Sequence, residues 1–487
     1  MSESTVMPQA APLQLTPDAM RELGYRVVDL IIAHQTGLRD ARVSIQRPRA
    51  ELDARIGTGF AEEPTPASEV LDLVEREVLS AITRVDHPRF YAFVPGPGNF
   101  VGAMADALAA GYNVFAGHWL AASGPGAVEL SAIDWLRRVC GLPVGAGGLF
   151  VSGGSMANLT AIAAARRATS GGPDPQAVVY FGDQTHNSLA KGLRILGFTE
   201  PQMRLLSSDA AQRLELSALR EAIATDRRAG RRPFCVVANA GTTNTGAVDP
   251  LPEIAAICRD EGLWLHVDGA YGAAAALSAR GRAALRGLEL ADSITLDPHK
   301  WLFQPFEIGC VLVRDMRHLH AAFAVHPEDQ ASYLDDVGRI AEREVVFYEH
   351  GPQLTRSFRA LKLWMSLRVY GVRAFRETMD RGIALAEEAE RLLRSDERWE
   401  VVTPAQLAVV TFAPARPDLS LDDRNALVQR AVERLIADGY AMVTSTQVGG
   451  RVVLRFCLIH PDATLADLRG TLDRLGAYTA TTEVRVR

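Results

Sequence analysis

Cysteine is scarce in this chain: five among 487 residues. Cys140, Cys235, Cys258, Cys310 and Cys457 are odd in number, scattered, and set among aliphatic neighbours. That pattern argues against a disulfide framework or a zinc cluster, and fits reduced buried thiols; no metal is expected. Long apolar runs are missing as well. None reaches the roughly 18 residues of a membrane-spanning helix, and Met1 to Pro17 lacks the basic-then-apolar order of a secretory signal. The expectation is a cytoplasmic protein with no membrane partner. Basic excess is absent too: the formal net charge is −6, so nucleic acid is not an expected partner and a small molecule is. There is no internal repeat and no low-complexity segment.

What is present is ample core material, 48% hydrophobic and 23% charged residues, enough for two or three domains. From Thr16 to Leu38 the positions Met20, Leu23, Val27, Val28, Leu30, Ile31 and Ile32 recur at helical spacing, and Ser68 to Thr83 repeats the pattern. The proline- and charge-rich stretch 42–66 between them reads as an extended connection. Beyond Asn99, short β-branched runs alternate with helical stretches: 177–181, 203–206, 234–239, 263–268, 293–296 and 310–313. Continuous apolar strands separated by helices imply an α/β fold with a mostly parallel sheet covered on both faces. After Gly371 a long amphipathic helix through Leu393, a strand over 401–412, a helix near 422–439, a strand over 452–458 and a closing helix from Asp462 read as a smaller α+β domain. The expected organisation is an N-terminal helical arm over 1–98, a large domain over 99–372 and a small domain over 373–487.

The chemistry gathers at the ends of the expected strands. Lys300, in Asp297-Pro298-His299-Lys300-Trp301, closes an apolar run. A lysine that must lose its proton to react gains from such a place, because desolvation disfavours the ammonium and an adjacent imidazole can relay protons. It is a Schiff-base candidate. Asp268 ends the hydrophobic run Leu263 to Asp268, where open α/β sheets place their ligands. An amine to hold an aldehyde and an acid to keep a ring nitrogen protonated are what a pyridoxal phosphate site requires. Ser152-Gly153-Gly154-Ser155 sets a small-residue turn before a helix, whose free N–H groups suit a phosphate. His186 follows a strand and is placed to stack on a flat cofactor, and Gly241-Thr242-Thr243 ends another. Each has an ordinary reading by itself: a helix cap, a surface histidine, a strand-end turn, a solvated lysine. Their succession at strand ends, in one order, carries the specificity.

With those residues in view, the chain resembles the pyridoxal-phosphate-dependent group II amino-acid decarboxylases of fold type I, most closely the aromatic-L-amino-acid decarboxylases. The likeness runs from about Leu23 to Leu475. It is carried by His87-Pro88-Arg89-Phe90-Tyr91-Ala92-Phe93, Ser152 to Ser155, Asp183 to His186, Gly241-Thr242-Thr243, His266-Val267-Asp268-Gly269-Ala270-Tyr271, Pro298 to Trp301, and Phe358-Arg359-Ala360-Leu361-Lys362-Leu363-Trp364. The resemblance implies that Lys300 binds the cofactor aldehyde, Asp268 pairs with the ring nitrogen, His186 stacks on the ring and Ala270 packs its other face. It also implies that Thr243 lies near the ring substituents and that Gly154, Ser155 and His299 help hold the phosphate. Tyr333, in a polar stretch over 326–344, matches a lid tyrosine that returns a proton to the substrate carbon after carbon dioxide leaves. Relatives that make aldehydes typically lose that tyrosine or the histidine, and both are present here. The family forms homodimers with exchanged N-terminal arms.

Three positions depart from the family pattern. Asp297 replaces an asparagine of many relatives and would repel a phosphate unless a cation intervenes. Gly117 stands where the animal enzymes have phenylalanine, two residues before Trp119, and opens one wall of the pocket. Thr355, before Arg356, compares with glycine in plant enzymes for indoles and serine in those for phenols. Phe93, Pro95, Trp119 and Thr355 are the expected substrate contacts, and an apolar pocket favours tyrosine, phenylalanine, dopa or tryptophan. The alternatives are decarboxylation of a non-aromatic amino acid such as 2,4-diaminobutyrate, aminotransfer or aldehyde formation on the same cofactor, or a cofactor-binding regulator without turnover.

Overall fold

The structure is a computed structural model, which describes residues 13–324 and 344–480. The chain forms two compact units, Met1–Arg84 and Val85–Arg487. In the first, helix Pro17–Gly37 begins at Thr16, whose hydroxyl accepts from the Ala19 N–H at 3.2 Å, as an N-cap threonine should. The stretch 42–66 is not purely extended. It contains helix Arg49–Ile56, entered at Pro48 and stitched along its exposed face by Arg49–Asp53 at 3.1 Å and Arg55–Glu51 at 3.0 Å, pairs at the four-residue spacing that supports isolated helices. The next segment is α-helical over Ala67–Leu73 and widens to a π-helix over Val74–Leu79. That turn carries buried Glu77, which meets Arg47, Arg55 and Arg76 at 3.0–3.2 Å.

The second unit is built on a seven-stranded sheet: β1 (Gly147–Val151), β2 (Ala177–Gly182), β3 (Met203–Leu206), β4 (Arg232–Asn239), β5 (Trp264–Asp268), β6 (Ser293–Leu296) and β7 (Gly309–Val313), in the order β1-β7-β6-β5-β4-β2-β3. Only β7 runs against the others. The mostly parallel sheet is therefore as expected, and its alternation explains the unbroken apolar runs. Val178, Tyr180, Val236 and Ala238 pack into one core; Val179, Phe181, Cys235 and Val237 pack into the other. Both faces are covered, so neither needs polar residues. Strand β1 is an addition to the expected set. Its sequence opens Gly-Gly, a poor strand signal, but a Cβ at Gly148 would lie 1.9 Å from the Val311 carbonyl oxygen, so only glycine allows β1 to approach β7 here.

A second, antiparallel sheet follows: β8 (Trp399–Gln406), β9 (Val409–Pro414), β10 (Thr444–Val448) and β11 (Arg451–Cys457), ordered β10-β11-β9-β8. The expected single strand over 401–412 is thus a hairpin, and β10 is additional. Helices Leu421–Asp438 and Leu465–Ala480 supply Leu435 and Leu468 to a core with Phe412 and Phe456. The long helix starts earlier than expected, spanning Ala360–Arg394 with a break at Gly371, whose φ of 74° favours glycine. Its Leu363, Phe375 and Met379 join the core of the large sheet, and Ala386, Ala389 and Leu393 that of the small sheet. All five cysteines are free and buried. No helix among the described residues is long and apolar enough to cross a membrane.

Candidate active site

Five of the parallel strands release their chains at one edge of the large sheet, where a cavity of about 520 Å³ opens. Gly154 and Ser155 follow β1, His186 follows β2, Thr243 follows β4, Asp268 ends β5 with Ala270 just beyond it, and His299 and Lys300 follow β6; all eight line this cavity. Phe93 and Pro95 line it too. Trp119 and Thr355 do not line it within one chain, and Tyr333 lies outside the described residues.

Asp268 is held by a network that the motifs alone did not reveal. Asn158, on helix Gly154–Ser170, donates from Nδ2 to Asp268 Oδ2 at 2.9 Å, and the Ala270 N–H donates to Oδ1 at 3.1 Å. With its amide nitrogen turned to the carboxylate, Asn158 presents Oδ1 as an acceptor to Thr295 Oγ1 at 2.6 Å and His266 Nε2 at 3.0 Å. His266 must then donate from Nε2 and accept at Nδ1 from Ser293 Oγ, 2.9 Å away, which in turn accepts from Trp264 Nε1 at 2.8 Å. Burial drives the His266 imidazole down to about 4, so it is neutral, as this single-tautomer chain requires. Every polar atom that positions Asp268 is thereby fixed, on a row where Asn239, Asp268 and Thr295 sit side by side across β4, β5 and β6.

Lys300 sits in a tight turn, its N–H donating to the Asp297 carbonyl at 2.9 Å. Gly96 lies directly against that turn: its N–H donates to the His299 carbonyl at 2.9 Å, and a Cβ there would fall 2.1 Å from Lys300 O. Behind the turn Trp301 is fully buried and stacks on Tyr271, with centroids 5.0 Å apart at 12°. The chain has three lysines, Lys191, Lys300 and Lys362. Lys191 is exposed and Lys362 is buried against Asp106 at 2.7 Å, so Lys300 alone reaches the cavity. Its Nζ is 3.2 Å from Asp297 Oδ2.

Gly153 provides no side-chain cap to helix Gly154–Ser170, leaving the first N–H groups directed outward. A Cβ at Gly154 would stand 2.9 Å from Asp297 Oδ2 and 3.1 Å from Ala270 Cβ, so these two side chains close against the turn and leave room only for glycine. His186 is held below its ordinary range by burial and then by the Lys300 charge, with Nδ1 2.8 Å from Ser188 Oγ. His299 is lowered by burial and accepts at Nδ1 from the Ile308 N–H at 3.2 Å. Phe93, in a left-handed conformation at φ 47°, is fixed by Arg455 Nη1 donating to its carbonyl at 3.0 Å. The opening expected at Gly117 is filled: a Cβ there would lie 2.4 Å from the Phe115 ring, which takes up the space that a side chain at 117 would use.

A neutral-imidazole face, a lysine, a buried carboxylate and a helix N-terminus surround a slot of cofactor size. These residues suit pyridoxal phosphate: a helix start without a side-chain cap for the phosphate, an anchored acid, and one amine. The chain belongs to the pyridoxal-dependent decarboxylase family, whose conserved-domain model matches residues 50–414. It is 47% identical over 457 residues to an aromatic-L-amino-acid decarboxylase of Bacillus atrophaeus, covering 94% of each chain. It is 30% identical over 459 residues to a phenylacetaldehyde synthase of Arabidopsis thaliana, covering 91% of this chain and 92% of that one. The fold matches the crystal structure of an Oryza sativa TDC with PLP and tryptamine at a TM-score of 0.90 and 29% identity, over 97% of this chain and 99% of that one. The protein is a pyridoxal-phosphate-dependent amino-acid decarboxylase of fold type I.

Proposed function

We propose that the protein converts aromatic L-amino acids, tyrosine, phenylalanine, dopa or tryptophan, to their amines and carbon dioxide. The observation that carries this reading is the meeting of Lys300 and Asp268 in one cavity beside the Gly154 turn. When bound, pyridoxal phosphate supplies the electron sink for the C–C bond that breaks. Lys300 would hold the aldehyde and give it up to the substrate amine. Asp268, its carboxylate fixed by Asn158 and Ala270, keeps a proton on the ring nitrogen. His186 and Ala270 would pack the two ring faces, Thr243 would lie at the ring edge, and Gly154, Ser155 and His299 would hold the phosphate, roles that rest on the family likeness and on their shared cavity. Phe93 and Pro95 offer the substrate an apolar wall, with Trp119 and Thr355 as more distant contacts on the strength of the family likeness alone. Tyr333 returns a proton to the substrate carbon, a role that also rests on that likeness.

The likeness to an aldehyde-forming synthase makes oxidative release of aldehyde the second reading. His186 at the cavity favours the amine. The test is incubation of the cofactor-loaded protein with a panel of amino acids and identification of products by mass. An aromatic amine, formed without 2-oxoglutarate, is expected. Aldehyde as the main product, or turnover of 2,4-diaminobutyrate in preference to aromatic substrates, would contradict the reading.

The protein is proposed to act in the cytoplasm as a homodimer. Helix Pro17–Gly37 buries none of its residues, and its Met20, Tyr25, Val27 and Ile32 are exposed, an apolar surface that a second copy would cover. Light scattering at micromolar concentration should return twice the chain mass; a monomer would contradict this.

A further inference from the structure

Asp297 is 1% exposed, and its Oδ1 has no hydrogen-bond partner among the described residues. Its Oδ2 faces Lys300 Nζ at 3.2 Å and His299 Nε2 at 3.6 Å. The titratable groups near this carboxylate are Lys300 and His299 on its own loop, His186 after β2, and Cys310 on β7. Burial lowers both imidazoles and raises the thiol, so at neutral pH all three are uncharged. Among the described residues Lys300 is therefore the cation that compensates Asp297. If the lysine lost its charge on attaching the cofactor, a buried carboxylate would be left unpaired beside a phosphate, a costly arrangement.

We propose that Asp297 is a proton-holding catalytic partner of Lys300, retaining in the site a proton that would otherwise pass to solvent. In forming the C=N bond, Lys300 first hands one ammonium proton to Asp297 Oδ2, 3.2 Å away, and the neutral amine nitrogen then adds to the aldehyde carbon. Two of the three ammonium hydrogens leave with the aldehyde oxygen as water. The third stays between Nζ and Asp297 Oδ2. Charge is unchanged by the step, and the carboxylate keeps a compensating proton throughout. An opposite charge at hydrogen-bond distance in a buried site favours the protonated nitrogen, so the carboxylate also keeps the C=N carbon electrophilic toward an incoming amine. This inference rests on Lys300 being the cofactor lysine.

The test is a pH titration of the visible absorbance band of the bound cofactor in the wild-type holoenzyme, in Asp297→Asn and in Asp297→Ser. Both variants should lose the C=N proton at a pH at least one unit lower than the wild type. Calorimetric titration of each apoprotein with pyridoxal 5′-phosphate, at a pH between the wild-type and variant midpoints and in two buffers of different ionisation heat, should show more proton release by the variants, approaching one proton as the midpoints separate, the difference cancelling protons that belong to the cofactor itself. Coincident titration midpoints and equal proton counts would overturn the proposal. A variant that no longer folds is recognised by its circular dichroism, and the other then decides. If Lys300→Ala still retains the cofactor covalently, it is the assignment of the lysine that fails, a result separate from any effect at Asp297.

Discussion

Asn158 and Asp268 lie 110 residues apart in the chain and meet through a 2.9 Å hydrogen bond at the base of the cavity. The bond makes the orientation of the carboxylate a property of the helix after β1 as much as of β5. An acid that is to keep a ring nitrogen protonated must point along the ring plane, and Asn158 with the Ala270 N–H leaves it little freedom to do otherwise.

Asn158→Ala should weaken cofactor affinity by about ten- to a hundredfold, the equivalent of the ~1.5–3 kcal/mol that a hydrogen bond to a charged group contributes. Equilibrium dialysis of the apoprotein measures it. Unchanged affinity would mean that Asp268 needs no such support.

Acid should destabilise the protein partly through His266. Its folded value, about 4, lies below the ordinary 6.5, so the unfolded chain binds the proton more readily. The stability due to the neutral imidazole is fully present above pH 6.5 and is lost as pH falls toward 4, on the order of 3 kcal/mol in all. His266→Gln should flatten the fall in denaturation midpoint across that window. A fall of unchanged size would assign the acid sensitivity elsewhere.

Arg356 and Glu129 form an ion pair at 2.5 Å with side chains 2% and 1% exposed, and the guanidinium also donates to the carbonyls of Phe150 at 2.9 Å and Ala116 at 2.8 Å. Arg356→Ala leaves a buried carboxylate without its partner and should cost about 3–5 kcal/mol of folding stability. Urea denaturation tests this, and a loss below about 1 kcal/mol would show that the pair is dispensable.

Gly154→Ala should lower cofactor affinity, measured by equilibrium dialysis, because the added methyl would meet the buried Asp297 Oδ2 at 2.9 Å and Ala270 Cβ at 3.1 Å and displace both side chains in the cavity. Retention of full affinity would place the phosphate elsewhere.

The residues readable from the sequence are those whose chemistry depends on where a strand ends. Asp268 ends an apolar run and Lys300, His186 and Gly154 follow one within a few residues, and a parallel sheet brings such ends to one edge whatever the intervening helices do. Asn158 was not readable, because a helical asparagine looks like any polar surface residue until its partners from β5 and β6 are in place. The helix Arg49–Ile56 was masked by flanking prolines, although its charges already stood at four-residue spacing. Strand β1 was masked by Gly147 and Gly148, which are there for close approach and carry no strand preference. Gly117 looked like an opening because the position of the Phe115 ring is a tertiary fact.

The most direct test of the whole account is to reduce the cofactor-loaded protein with borohydride and map the modified peptide. The chain offers three lysines, so the assay has three possible answers. The pyridoxyl mass is expected on the peptide containing Lys300 and on no other. Finding it on Lys191 or Lys362 would contradict the site described.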